Sequence, residues 1–536
     1  MGWGEGVTST SHNVRRMAGK DVGCELPTNR KDYLPFLFFF LGVATRVPFT
    51  SRFLLHLDSC QFALALEKFD VIVHQPHPPG YFLYVMLGRI LHLFIADANT
   101  VFVSISVCFS GLTVACVYLL GKEVFERKIG IVAALLALSS PTAWFHGEVA
   151  LIYIVEAFLS TATALLCWRI LKGEEKYLWL SVVTLGVAAG IRQTTPVFLL
   201  PLWLYSVRNL PLRKVVASLG VLAVTCLLWF IPMGRMTGGW DAYRDSFREL
   251  WLFNTGGHGV LEGEWGFLRL YSLKMFLFLI YGLGAGLFPI ALAVYSVARR
   301  GRRGSVESTK ALFFFFWILP VMAFYLFVFL SVQNPGYILI FLPALLILSS
   351  ISIFRIGDEL QDRYGRKILL SIITAVVILN TAGFFLMDSP VSYRLIRIHD
   401  RNLSILLADI KTFDPGETAV FVNNYVYYSY RHIMYYLPEY RVFNVDWRVA
   451  STGEVRKTFH GYHKKTYMSQ GFPVPDRIKF FIALLGFGDK KYDEKGSYEK
   501  KGIVVRDLTP TLRIATGSIS LLRKVFPNVR VRPLPS

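Results

Sequence analysis

Residues 101–120 read VFVSISVCFSGLTVACVYLL, twenty positions without a single charged side chain. At 1.5 Å of helical rise per residue this run covers ~30 Å, the hydrocarbon thickness of a bilayer. The basic stretch Gly121-Lys122-Glu123-Val124-Phe125-Glu126-Arg127-Lys128 follows it, and a second apolar run occupies 130–146. Working outward, further spans are predicted at 33–48, 151–169, 177–191, 196–207, 214–232, 272–297, 311–331, 337–354 and 368–386, about eleven in all. Of the 536 residues 54% are apolar and only 18% are charged, too few to clothe so long a chain in water. A soluble enzyme, a disordered protein and a disulfide scaffold are excluded. The expected fold class is a polytopic α-helical membrane protein.

Loop charge predicts the orientation. The basic loops Lys122–Lys128, Lys172–Lys176, Arg208–Lys214, Arg299–Arg303 and Arg355–Lys367 all fall on the cytoplasmic side if the N-terminus is inside and eleven spans follow. A twelfth span at 81–96 would turn all five outward, so that segment is placed in or near the outer interface. The domain organisation expected is a cytoplasmic tail at 1–32, a transmembrane region at 33–387 with outer loops at 49–100 and 233–271, and an extracytoplasmic domain at 388–536. The last alternates short strand-like runs, such as Thr418–Val422 and Lys501–Val505, with helix-like stretches, and reads as a small α/β domain.

The net charge is +20, and the C-terminal 388–536 hold 24 Lys+Arg against 14 Asp+Glu. In a membrane chain this excess points to membrane lipid and phosphorylated ligands, not to nucleic acid. The six cysteines have no metal-ligand spacing and none follows Cys226, so no disulfide framework is expected. That absence favours a bacterial plasma membrane.

Polar residues gather at the predicted outer ends of the spans, where charge within a membrane is a functional hint. Asp58 comes about ten residues after the first span. A partly desolvated carboxylate there serves as a general base, or equally as a helix N-cap for 59–69. His74-Gln75-Pro76-His77-Pro78-Pro79-Gly80-Tyr81 is a rigid turn that returns the chain to the bilayer. His74 and His77 read as a metal site or as a hydrogen-bonded structural pair. Pro141–Glu148 places Glu148 at the next outer turn, with Glu156 eight residues on and inside a span. Gly190-Ile191-Arg192-Gln193-Thr194-Thr195-Pro196 offers a cation among hydroxyls, suited to a phosphate or to lipid headgroups. Loop 233–271 carries Arg235, an amphipathic helix from Trp240 to Trp251 and the glycine-rich stretch around His258, the makings of a lid or of an interfacial helix. Asn334 and Tyr337 open a later span and can hydrogen-bond a sugar, or serve as a polar helix start.

In order and sidedness these features resemble the GT-C membrane glycosyltransferases, nearest to the protein O-mannosyltransferase and aminoarabinose-transferase group (glycosyltransferase family 39-like), over about 40–350. The resemblance implies a GT-C-like membrane region and a polyprenyl-phosphate-linked sugar as donor. It implies Asp58 as the catalytic carboxylate, with Glu148 as the acidic residue of the second outer loop. Ser59 stands where many members carry a second acid, so no metal is assigned and a divalent metal stays open as a cofactor. The expected activity is hexosyl or pentosyl transfer to a protein, lipid or glycan by an inverting displacement. Asp58 and Glu148 are the catalytic residues, and Arg192, His77, Tyr81, Arg235, His258 and Tyr337 bind substrate. A lipid or sugar transporter or flippase is the alternative; it calls for charge near the midplane and symmetric halves, and no repeat is seen.

Overall fold

The structure is a computed structural model that describes residues 32–255, 260, 263–300, 308–365, 367–422, 426–444, 472–486, 502–525 and 531–533. His258 and nearly all of the predicted tail at 1–32 lie outside the described residues. The membrane region comprises α1 (Leu34–Arg46), α2 (Leu57–Glu67), α3 (Phe82–His92), α4 (Ala98–Val124), α5 (Arg127–Ser139), α6 (Pro141–His146), α7 (Tyr153–Leu171), α8 (Tyr177–Ile191), α9 (Thr194–Val207) and α10 (Leu212–Met236). It continues with α11 (Trp240–Thr255), α12 (Gly266–Leu283), α13 (Leu287–Arg300), α14 (Ser308–Phe327), α15 (Leu342–Tyr364) and α16 (Lys367–Leu386). Among the described residues six helical segments are long and apolar enough to cross a membrane alone, and four shorter apolar helices accompany them.

α4 and α7 form the centre: 72% and 78% of their apolar windows are buried, against 11% for α10 and 17% for α16, whose apolar faces are left for lipid. Asp97 starts α4 by accepting from the Thr100 N–H and hydroxyl, both at 2.7 Å. α1 crosses α4 where Gly42 meets Gly111. A Cβ on Gly42 would come within 2.6 Å of the Gly111 Cα, so only glycine permits this backbone contact. Small polar groups bind helix to helix: Ser140 Oγ donates to the Gly282 carbonyl at 2.6 Å, and Ser160 Oγ to that of Ile340 at 2.6 Å. In hydrocarbon such bonds replace the water a soluble protein would use.

Two predicted spans are broken. The apolar run 130–146 divides at Ser140-Pro141, and 272–297 divides at Gly284–Gly286. At the second break Asn380 accepts from the Ala285 N–H at 2.8 Å and donates to the Leu283 carbonyl at 3.2 Å, so the freed backbone groups are satisfied. Residues 82–92 form α3, which packs on α2, α4, α8 and α10.

Four of the five basic loops, all but Arg299–Arg303, come together at one end of the bundle. Arg169 holds Glu123 through Nη2 at 2.5 Å, Lys214 pairs with Glu175, Lys122 reaches Asp32 at 2.6 Å, and Lys128 lies over Phe354. At the opposite end sits the C-terminal domain. It comprises α17 (Tyr393–Ile410), β1 (Thr418–Val422), α18 (Tyr430–Tyr436), β2 (Arg441–Asn444), β3 (Phe472–Val474), β4 (Phe480–Gly486), β5 (Val504–Thr509), β6 (Leu512–Ser518), α19 (Leu522–Val525) and β7 (Val531–Pro533). Its five-stranded sheet has the order β2-β1-β4-β6-β5, parallel across β2-β1-β4 and antiparallel thereafter, and β3 pairs β7 separately. β1 is buried on both faces: Ala419 and Phe421 join one core, Val420 and Val422 the other. Against the second core α17 lays Leu403, Leu406, Leu407 and Ile410, a 3.6-residue stripe.

Candidate active site

Asp58 stands in the first turn of α2, at the end of the bundle that carries the C-terminal domain. His56 caps that helix: its Nδ1 accepts from the Asp58 backbone N–H at 3.0 Å. Because Nδ1 accepts, the His56 proton resides on Nε2. The 3.4 Å approach of Nδ1 to the Asp58 carboxylate is therefore not an ion pair with a charged ring. The Asp58 side chain is 23% exposed, and its carboxylate takes no hydrogen bond from any described residue. A half-screened carboxylate with open lone pairs suits proton abstraction.

The proline-rich turn comes back over α2. It is closed by a bridge between Asp70 and Gln75, with Gln75–Pro76 and Pro78–Pro79 both cis. His77 is thereby set beside Asp58, its Nδ1 3.7 Å from Oδ1. The same Nδ1 is 2.5 Å from Gln61 Oε1, and Nε2 is 3.0 Å from the Tyr81 hydroxyl. The consistent proton pattern is Tyr81 O–H donating to Nε2 and Nδ1–H donating to Gln61. Burial pushes the imidazoles of His77 and His56 below the ordinary histidine range; Asp58 opposes this without reversing it. Tyr81 adopts a left-handed backbone (φ 45°), a costly conformation for a residue with a side chain, and it starts α3 inside this cluster.

Arg192 faces the cluster from the α8–α9 turn. It acts electrostatically on His77 and Tyr81, and its guanidinium lies 4.6 Å from the Tyr337 ring centre and 5.5 Å from that of Tyr153. Glu156 carries the opposite charge, with Arg192 Nη1 at 2.9 Å and Thr195 Oγ1 at 2.6 Å. This buried pair explains how Glu156 is tolerated within a span. Tyr337 is carried by the turn Pro335–Ile340, which comes so close that a Cβ on Gly336 would lie 2.7 Å from His146 and from Tyr153. Asn334 anchors that turn by donating to the Tyr153 hydroxyl at 2.9 Å.

Asp58, His77, Tyr81, Arg192 and Tyr337 therefore share one site. Glu148 stands apart. It is fully buried, accepts from Trp144 Nε1 at 2.5 Å, and is influenced by Arg46 and Arg397; none of these contacts reaches Asp58, His77 or Tyr81. Burial pushes its carboxyl up to about 8, against the pull of Arg46. Arg235 ends α10 with an exposed side chain and joins no contact of the cluster. α11 covers the proline-rich turn, with Tyr243 OH donating within reach of the Pro79 carbonyl (3.1 Å) and Gln193 Oε1 (3.0 Å). Gln61, Tyr153 and Tyr325 carry no motif that singles them out in the sequence. Only the proximity of a helix turn to His77, and of the Tyr153 ring and the Tyr325 hydroxyl to Arg192, brings them in.

A cavity of about 560 Å³ adjoins the site, lined by Lys274, Tyr281, Gln333, Tyr427, Tyr428 and Thr511 among others. Tyr427 packs edge-on against His56, so one cavity wall abuts the turn that carries Asp58. Among the described residues no three His, Cys, Asp or Glu side chains converge on a metal position.

A helical bundle of broken and short spans, with a sheet domain docked at one end, agrees with the GT-C-like membrane fold that the sequence resemblance implies. Residues 76–234 match the family described as dolichyl-phosphate-mannose-protein mannosyltransferase, a stretch that holds His77, Tyr81, Glu156 and Arg192. The chain is similar in structure to ArnT from Cupriavidus metallidurans bound to undecaprenyl phosphate, at 13% identity and a TM-score of 0.55, covering 90% of this chain and 96% of that one. The apo ArnT structure gives 14% identity, a TM-score of 0.53 and coverages of 93% and 99%. The apo oligosaccharyltransferase of Archaeoglobus fulgidus gives 12%, 0.51, 87% and 71%. At such identities the likeness is one of fold. No curated protein matches the sequence.

Proposed function

We propose that this chain is a membrane glycosyltransferase that moves a hexosyl or pentosyl group from a polyprenyl-phosphate donor to a protein, lipid or glycan acceptor. The observation that carries the reading is the Asp58 carboxylate, unbonded among the described residues, beside His77, on which Arg192 acts in turn, on a GT-C-like fold. The ArnT structure with undecaprenyl phosphate and the mannosyltransferase family match support a lipid-phosphate donor.

In this reading the acceptor X–H gives its proton to Asp58 as its heteroatom bonds to the anomeric carbon. The bond from that carbon to the phosphate oxygen breaks, and polyprenyl phosphate leaves. The transition state is oxocarbenium-like, so charge grows on the departing phosphate and a nearby cation lowers the barrier. Arg192 supplies that cation, held in place by Glu156 and two tyrosine faces. Gln61 and Tyr81 fix the His77 ring beside Asp58, and Tyr337 contacts the sugar. A single displacement inverts the anomeric centre. We assign the Glu148 side chain to bracing the α6–α7 turn, because it is buried and accepts from the Trp144 indole. We place the acceptor in the cavity bounded by Tyr427, whose ring packs on His56, two residues before Asp58. The basic loops at the far end support an N-terminus in the cytoplasm and a sheet domain outside, and the lack of cysteines after Cys226 favours a bacterial plasma membrane.

The test is a transfer assay on purified protein with a panel of radiolabelled polyprenyl-phosphate sugars. Product from one donor, abolished in Asp58→Asn, is expected. If no donor is consumed, yet reconstituted vesicles show the same lipid crossing the bilayer, the flippase reading replaces this one.

A further inference from the structure

We propose that Asp400, on the C-terminal domain, is a positioning residue for Asp58; the catalytic part of this inference rests on the function proposed above. Residues 50–56 adopt neither helix nor strand, so the backbone groups of this link need partners from elsewhere. The C-terminal domain provides them. The Asp400 side chain is 7% exposed and accepts from the Arg52 N–H at 3.1 Å and the Phe53 N–H at 3.2 Å. Arg397, one turn earlier on α17, pairs with Asp400 at 3.2 Å and donates to the carbonyls of Phe49 (3.1 Å) and Thr50 (2.5 Å). The Tyr436 hydroxyl accepts from Leu54 N–H at 2.8 Å, and the Val426 carbonyl from Leu57 N–H at 2.8 Å. Arg431 of the same domain donates to the Val73 carbonyl, at the start of the turn that carries His77.

The domain therefore grips both chain segments whose side chains make the Asp58–His77 contact. Asp400 is the charged centre of that grip. Its removal strands two loop N–H groups and leaves Arg397 without its carboxylate, which frees the link leading into α2. A base displaced by even 1 Å loses about 100-fold in rate.

The test uses the full chain in detergent or nanodiscs, with Asp400→Ala, Asp400→Asn and the milder Tyr436→Phe. Tyr436→Phe keeps the ring that packs on Phe53. Two readouts are taken: amide hydrogen exchange across 50–58, and kcat separately from donor KM. Expected for Asp400→Ala is faster exchange in 50–58 with β1 and β4 still protected, and kcat lower by about 10- to 100-fold. Donor KM should stay within about twofold, with Asp400→Asn and Tyr436→Phe falling between this variant and wild type. Unchanged exchange in 50–58 for all three variants overturns the clamp. Faster local exchange with unchanged kcat overturns the link to Asp58. The exchange arm needs no activity, so a wild-type protein inert with every donor refutes the proposed function while leaving the clamp to be judged on its own.

Discussion

His77 turns Nδ1 toward the Asp58 carboxylate at 3.7 Å, while its Nε2 receives the Tyr81 hydroxyl at 3.0 Å. The imidazole thus links a partly exposed acid to a tyrosine on the next helix. Its Nδ1 proton is held by Gln61, which leaves the carboxylate open for a substrate. Asp58→Asn keeps the size and the helix position but cannot accept the acceptor's proton. A loss of about 10²- to 10⁴-fold in kcat with an unchanged melting temperature is expected. A single-turnover assay beside a melting curve checks it, and retained turnover would remove Asp58 from the mechanism.

The same arrangement predicts a pH dependence. Burial holds the His77 pKa below its ordinary 6.5. In the folded protein the ring is therefore neutral at and above pH 6.5, and it takes a proton only at more acid pH. Protonation ends the bond from Tyr81 and sets a cation against Asp58. The stability this neutral ring contributes is fully present above pH 6.5 and is lost as pH falls from there through the depressed folded value. Activity should show an acid limb with its inflection below 6.5, and that limb should shift or vanish in His77→Gln. A profile identical to wild type in that variant would assign the limb elsewhere.

Arg192 and Glu156 form a buried ion pair, and each is costly without the other. Glu156→Ala or Arg192→Ala should destabilise by about 3–5 kcal/mol, and the double replacement by less than the sum of the singles. Denaturation of the three variants in one detergent measures the coupling. Full additivity would mean that the two charges do not depend on each other.

Glu148 separates bracing from catalysis. Glu148→Gln retains an acceptor for Trp144 Nε1 and resembles the neutral acid that burial favours, so both fold and turnover should survive it. Glu148→Ala leaves the indole N–H unpaired and should cost about 1–3 kcal/mol. Loss of turnover in the stable Gln variant would restore Glu148 to the reacting groups.

Gly336 has no room for a methyl group between His146 and Tyr153. Gly336→Ala should push the Pro335–Ile340 turn outward and destabilise by about 1–3 kcal/mol. Because Tyr337 moves with that turn, donor KM should rise as well. A variant with wild-type melting and wild-type KM would show that the turn is not tied to the site.

Much of this molecule is legible in one dimension. Uncharged runs such as 101–120 mark helices because a bilayer leaves backbone groups no other partner, and clustered Lys and Arg mark the end where they meet. The proline-rich turn at 74–81, the acid at 58 and the arginine at 192 are also visible, since each is an unusual residue for its depth. The division at Gly284–Gly286 is not. A glycine in an apolar run is unremarkable until Asn380, almost a hundred positions later, is seen to satisfy the opened backbone.

Composition and charge pattern by themselves determined that the chain lives in a membrane, which end is basic, and which scarce polar residues sit near the other end. They did so because solvation acts on each residue separately. Only the tertiary structure decided which of those residues cooperate: that Glu156 belongs to Arg192, that Gln61 belongs to His77, and that Glu148 turns away toward Trp144. Pairing depends on distances of a few ångströms between segments far apart in the chain, and no local property of the sequence encodes them. The hold of Asp400 on residues 52 and 53 is of the same kind, spanning nearly 350 positions to steady a loop that has no secondary structure of its own.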